Sequence, residues 1–174
     1  MTFDPQQVEA LGPLICLDLE TALAPLSFKG RNHVRLIQFF SDLGECWFDL
    51  QTFTDADWDA LKEVLERPTF TWIGHNISFD YRCLLGCGIR LQGRLEDTMI
   101  QSQLLTNGLP NTSNSLEAVV LRVLKKQISK ELQAQDWMNA ELNDADIAYA
   151  MGDVRLTWQV WQEQRVEIKN AGIT

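Results

Sequence analysis

Asp18 and Glu20 lie two residues apart in the segment ICLDLET, interrupting an apolar run that otherwise reads as an interior strand. At that spacing both side chains leave the same face of a strand, so the two carboxylates project together. A third acid, Asp80, closes GHNISFD, and a fourth, Asp153, follows Tyr149 by four residues in YAMGD. Isolated carboxylates in apolar surroundings are unfavourable unless they are paired or bound to a cation. The four acids and the tyrosine therefore read as one site for divalent metal. Neither His nor Cys enters the set, and hard oxygen ligands select Mg²⁺ or Mn²⁺ over Zn²⁺.

The elements that must position these residues can be read from periodicity. Strands are predicted over 13–20, 34–41, 45–50 and 69–73, with Ser41–Gly44 turning a hairpin between the second and third. Thr54 followed by Asp57 predicts a capping box opening a helix over 55–67. A helix from near Ser78 carries Asp80 in its first turn and ends around Gly86 to Gly88, and Asp97 caps the next, to about Thr106. Turn formers fill Asn107 to Asn114, and helices dominate thereafter. In the last helix Ile147, Met151, Val154, Trp158 and Trp161 recur at steps of four and three, a core stripe. Gly152, Arg155, Gln159 and Gln162 form its polar face. Asp153 instead falls with Tyr149, Leu156 and Val160, at about 100° per residue, on a second apolar side. An aspartate there needs a partner.

Composition narrows the class. A chain of 174 residues is expected to be one domain, residues 1–174, of α/β type. A 45% hydrophobic content with six tryptophans excludes a disordered chain. No apolar run approaches the roughly 20 residues of a membrane span, and MTFDPQQVEA lacks the pattern of a secretory signal. Cys16, Cys46, Cys83 and Cys87 show no zinc-type spacing and read as free thiols, so the expected location is cytoplasmic. A net charge of −9 opposes a broad grip on nucleic-acid backbone. Much of that excess, however, sits in the four site acids, which two divalent cations would offset. Arg122, Lys125, Lys126 and Lys130 form one basic stretch, and Lys29, Arg31 and Arg35 a second. Each reads as a solvated face, or as phosphate contacts if a nucleic-acid site is established independently.

The ordered set DLET, HNISFD and YAMGD resembles the DEDD superfamily of 3′–5′ exonucleases. It is most similar to the branch with tyrosine in the last motif, which includes ribonuclease D and the proofreading domain of family A DNA polymerases. The resemblance continues through DTMIQSQLLTNG, NSLEAVVLRVL and KELQAQDW, nearly the whole chain. It implies a ribonuclease H-like fold with a five-stranded mixed β-sheet flanked by α-helices. It further implies that Asp18, Glu20 and Asp153 ligate metal directly and that Asp80 holds a second metal largely through water. Tyr149 would orient the attacking water and Glu20 would help align it. Phosphodiester hydrolysis suits such a site, because two cations ~4 Å apart can serve the nucleophile and the leaving oxygen. Tyrosine is a poor general base at its ordinary acidity, so positioning is the better role for Tyr149.

The implied activity is removal of 5′-mononucleotides from the 3′ end of single-stranded nucleic acid, DNA favoured through LLTNG and KELQAQDW. The alternatives are a ribonuclease D-like enzyme trimming RNA and a catalytically silent nucleic-acid-binding module. The chain is expected to be a stand-alone nuclease or a piece of something larger. Around the acids, Thr21 is open between contact with the terminal nucleotide and structure, and Asn76 between substrate binding and fixing a turn. Lys125 and Lys126 are candidate phosphate contacts. His75 is expected to hold a loop and Asp97 to cap a helix, with Asp136 and Trp137 structural. Leu23 and Leu26 are open between a wedge against terminal bases and core packing.

Overall fold

A computed structural model describes residues 2–22, 29–107, 109–128, 136–138 and 141–173. Leu23, Leu26, Lys130 and the segment KELQAQ fall outside the described residues. Five strands are present: β1 (Leu14–Thr21), β2 (Val34–Ser41), β3 (Gly44–Asp49), β4 (Thr71–Gly74) and β5 (Arg94–Asp97). They form one sheet in the order β3-β2-β1-β4-β5. The β1–β2 and β2–β3 pairs are antiparallel, whereas β1–β4 and β4–β5 are parallel. The predicted hairpin is there, with Ser41 paired to Gly44 and the Ser41 hydroxyl accepting from the Leu43 N–H at 3.0 Å.

The helices are α1 (Pro5–Glu9), α2 (Asp55–Leu65), α3 (Ile77–Gly86), α4 (Thr98–Leu105), α5 (Leu116–Leu124) and α6 (Asp144–Asn170). The Thr54–Asp57 capping box opens α2 as expected. That helix stops at Leu65 rather than 67, because Arg67 precedes Pro68 and the residue before proline is driven from helical geometry. Two elements escaped the sequence reading. α1 is a single short turn capped by Asp4 with Pro5 at its start. β5 has only four residues, RLED, and no legible alternation. Gly93 delivers it to the sheet edge: with φ +90°, a Cβ there would fall 2.1 Å from the Phe70 carbonyl oxygen.

The two faces of the sheet are covered differently. Ile15, Leu17 and Leu19 of β1 join Ile37, Phe39 and Phe48 in the largest apolar cluster, which α1, α2 and α3 close with Val8, Trp58, Leu61, Leu65 and Leu84. On the opposite face α6 lies across β1, β2 and β4. Its stripe of Met151, Val154, Trp158 and Trp161 packs on Cys16 and Ile73, with Ile147 at the margin, as the four-and-three spacing predicts. Val160 and Leu156, on the helix's other apolar side, meet Val119 and Val120 of α5. The result is a helix–sheet–helix sandwich.

Candidate metal centre

β1 outruns one of its neighbours. Its parallel pairing with β4 covers only Leu14 to Cys16, because β4 ends at Gly74 and the chain turns into α3. Towards β2 it stays paired, Asp18 opposite Gln38 and Glu20 opposite Leu36. The two carboxylates thus emerge where one edge of the strand has been released. A side chain at position 74 would set its Cβ 2.9 Å from that of Ile77, so glycine is what lets α3 start so close to the sheet. Asn76 takes the left-handed conformation (φ 61°) at that start. Its N–H donates to Asp97 Oδ1 at 3.0 Å, and the same oxygen accepts from Met99 N at 2.8 Å and from Ile100 N at 3.4 Å. Asp97 therefore caps α4, as expected, and also fixes the turn into α3. That turn places Asp80 in the first turn of α3 with only 3% of it exposed.

From the opposite end of the sequence α6 supplies Tyr149 and Asp153. A capping box between Asn143 and Asp146 fixes where the helix begins, so the register of both residues follows. Asp18, Glu20 and Asp153 come together: one carboxylate oxygen from each lies within 4.8 Å of the others. Asp80 stands behind that trio. All four acids have their pKa values raised above the ordinary carboxylate range. Burial is the main cause for each; in Asp18 and Glu20 the neighbouring carboxylates add repulsion. Glu20 and Asp80 are pushed up to about 8 and Asp153 to about 6, while Asp18 is raised well above the carboxylate range. Three oxygen donors converging from two elements, each disfavouring its neighbours' charge, fit a hard divalent cation that neutralises them together. The helical reading of Asp153 is confirmed: it leaves the α6 polar face and meets β1.

Tyr149 lies one turn before Asp153. Burial first, then Asp153, Glu20 and Asp18, lift its phenol above the usual value, so it stays protonated across neutral pH. Its ring stacks on Trp137, with centroids 6.3 Å apart and planes at 29°. Trp137 is buried beside Leu36 and Ala150. Its carbonyl accepts from Arg35 Nη1 at 3.1 Å, and Arg35 also forks onto Asp49 through Nε (3.0 Å) and Nη2 (3.2 Å). The basic stretch Lys29, Arg31 and Arg35 is therefore not a uniform solvated face. Lys29 is exposed, Arg31 pairs with Asp55 at 2.7 Å and lies over Trp58, and Arg35 is 8% exposed. Gln38, fully buried opposite Asp18 with no hydrogen-bond partner among the described residues at either amide atom, is a polar residue the sequence analysis did not single out. The signal was present, since Gln38 alternates with Leu36 and Phe40 on the Asp18 face.

The remaining candidates divide. Thr21 ends β1 beside Glu20, half-buried, its hydroxyl 3.4 Å from the Ala22 carbonyl. The Asn76 side chain accepts from the Ser78 hydroxyl at 3.1 Å, while its backbone holds the turn. His75 meets Thr98 Oγ1 at 2.8 Å and the Asn114 carbonyl at 2.9 Å, the loop-holding role expected of it. Lys125 and Lys126 are not brought to the carboxylates. Lys125 Nζ donates to the Arg122 carbonyl at 2.7 Å, and Lys126 Nζ to Gln159 at 2.7 Å. Gln159 is six residues beyond Asp153, about 9 Å along the helix axis.

Known proteins resemble this chain in sequence and in fold. The chain is 28% identical over 153 residues to DNA polymerase I of Aquifex aeolicus (strain VF5), covering 88% of this chain and 24% of that protein. Escherichia coli RNase D superposes with a TM-score of 0.79 at 25% identity, over 97% of this chain and 43% of its own. NrnC of Brucella melitensis superposes with a TM-score of 0.75 at 20% identity, over 95% of this chain and 78% of its own, and its structure bound to pGG with 0.72. The chain thus spans about a quarter of the polymerase and under half of RNase D. The sheet order and flanking helices are those of the ribonuclease H-like fold these nucleases share. A family profile described as 3′-5′ exonuclease matches residues 6–169, and with that match over nearly its full length the chain belongs to the 3′–5′ exonuclease family.

Proposed function

We propose that this chain hydrolyses phosphodiester bonds from the 3′ end of single-stranded nucleic acid, releasing 5′-mononucleotides with the aid of two Mg²⁺ or Mn²⁺ ions. The carrying observation is the convergence of Asp18, Glu20 and Asp153 within 4.8 Å, with Asp80 buried behind them. Asp18, Glu20 and Asp153 would hold cation directly, and Asp80 would steady the second. When bound, such cations supply an activated water and charge stabilisation for the leaving oxygen. The rest belongs to the protein. Tyr149, kept protonated by its surroundings, donates a hydrogen bond and so orients the water rather than deprotonating it. Glu20 accepts from the same water and sets its line of attack. Thr21, which follows Glu20 at the end of β1, and Asn76, at the start of the helix that carries Asp80, would contact the 3′-terminal nucleotide. Single strands are favoured because the scissile phosphate must reach a recessed cluster.

DNA is the favoured substrate, on the likeness to DNA polymerase I and on LLTNG and KELQAQDW. An RNA-trimming role is the second reading, supported by the superposition on RNase D. A silent binding module is disfavoured, since all four acids and the tyrosine are present. The four cysteines are free, which suits a cytoplasmic enzyme. The test offers 5′-end-labelled single-stranded DNA, duplex DNA and RNA with Mg²⁺ or Mn²⁺. A ladder shortening one nucleotide at a time, fastest on single strands, is expected. Internal cuts, or release of the 5′ label as a mononucleotide, would overturn the polarity.

A further inference from the structure

We propose that Arg35 is a positioning residue for hydrolysis, acting on Tyr149 through Trp137. The kinetic part of this rests on the nuclease reading; the structural part does not. Trp137 is in a turn, in neither a helix nor a strand. Tyr149, by contrast, is fixed by α6 only as far as its Cβ; the direction of its ring depends on what it leans against. It leans on the Trp137 indole, at 29° between planes.

Among the described residues, the neighbouring pair of strands holds the backbone at Trp137. Arg35 uses two nitrogens on the two carboxylate oxygens of Asp49 and a third on the Trp137 carbonyl, at 3.0, 3.2 and 3.1 Å. A planar guanidinium holds three such bonds in one rigid fork; a lysine ammonium cannot reproduce that fork. Gln51 adds a second tie, donating to the Met138 carbonyl at 3.3 Å. The ion pair is deeply placed, with side chains 9% and 17% exposed. Buried pairs of this kind add little net stability over apolar packing, so their retention is better explained by the geometry they impose. Here the geometry imposed is that of the surface against which the Tyr149 ring lies. The β2–β3 hairpin, which offers no carboxylate to the metal centre, thereby reaches the reacting atoms through one backbone carbonyl and two stacked rings.

The test is a double-mutant cycle in the full chain, with 5′-labelled oligothymidylate and oligouridylate as probes and Mn²⁺ as the metal. Arg35→Lys is expected to lower kcat by about 10- to 100-fold, the scale of a misaligned reacting group. KM and the Mn²⁺ midpoint should hold. In a Tyr149→Phe background the same substitution should have almost no further effect, because the hydroxyl it directs is gone. Trp137→Leu, which keeps the carbonyl and removes the stack, should behave likewise and serves if Arg35→Lys fails to fold. A readout independent of activity comes from the metal-free protein. The chain has two tyrosines, so Tyr149 ring resonances can be assigned against Tyr81 by Tyr149→Phe. Both Arg35→Lys and Trp137→Leu should move them. Equal losses with and without the hydroxyl, or Tyr149 resonances unmoved by both variants, would overturn the proposal. A wild-type chain that cleaves neither probe while its Tyr149 resonances respond would refute the nuclease reading and leave the positional coupling standing.

Discussion

Strand β1 presents two faces with opposite uses. Ile15, Leu17 and Leu19 point into the larger core and are at most 5% exposed. One residue out of phase, Cys16 begins the other face, and Asp18 and Glu20 follow it. The first face gains free energy from every side chain it hides. The second starts in the same way, Cys16 among Met151, Val154 and Trp161, and then within two residues becomes a set of repelling acids. Stability and chemistry are separated here by a single step in sequence, because a strand sends neighbours to opposite sides. Substitutions one residue apart should therefore fail in different ways.

The largest contrast is expected at Asp18. Asp18→Ala or Asp153→Ala should abolish cleavage while leaving the fold intact or more heat-resistant, since each removes a raised, repelled carboxylate. Melting temperature should rise by ~2–4 °C per kcal/mol of repulsion relieved in a chain of this size. A variant that keeps more than a tenth of wild-type turnover would remove its residue from the site. Next door, Leu17→Ala should show the converse, losing about 2–5 kcal/mol by denaturant titration with the surviving folded enzyme still active. Inactive but well-folded Leu17→Ala protein would break the separation.

Tyr149→Phe should slow turnover by ~10- to 1000-fold, the range for losing a positioning or proton-handling group. Its metal titration midpoint should hardly move, because the acids remain. A shifted midpoint with unchanged saturated turnover would make Tyr149 a partner of the metal rather than of the water.

The acid face also predicts a direction with pH. Glu20 and Asp80 titrate near 8 and Asp153 near 6 in the folded, metal-free chain, above their ordinary values. The folded state therefore binds more protons than the unfolded one between about pH 4 and 8. Stability is fully present below that window and is lost as pH rises through it. Thermal melts of metal-free protein should fall from pH 5 to pH 8, and saturating Mg²⁺ should flatten the slope. A slope of the opposite sign would mean the acids are held by hydrogen bonds rather than strained by burial.

The smallest effect is expected at Lys125 and Lys126. Changing both to Ala should weaken binding of long single strands and flatten the dependence of affinity on salt. Cleavage of a dinucleotide, too short to reach these two lysines, should be nearly unaffected. Loss on neither substrate would leave Lys126 as a partner of Gln159 alone.

Much of this was legible in the chain itself. Asp18 and Glu20 announce their face by period two, and Asp153 by its phase in α6. The Asp97 cap and the Thr54–Asp57 box are local, so sequence spacing suffices to find them. Arg35 was misplaced for the opposite reason. Its charge suggests solvent, and the groups that bury it, Asp49 and the Trp137 carbonyl, are 14 and 102 residues away. The strand β5 was missed because four residues with three charges carry no period, and its place depends on Gly93 passing close beneath Phe70.

The metal centre is closed by α6, which follows every other described element in the chain. Asp18 and Asp153 are separated by 135 positions. During synthesis β1, its hairpin and α3 leave the ribosome well before α6, so the emerging polypeptide holds only part of its ligand set. Contacts so distant in sequence also form slowly. The four acids are therefore assembled only once α6 has docked, and any chemistry that needs all of them waits for that step.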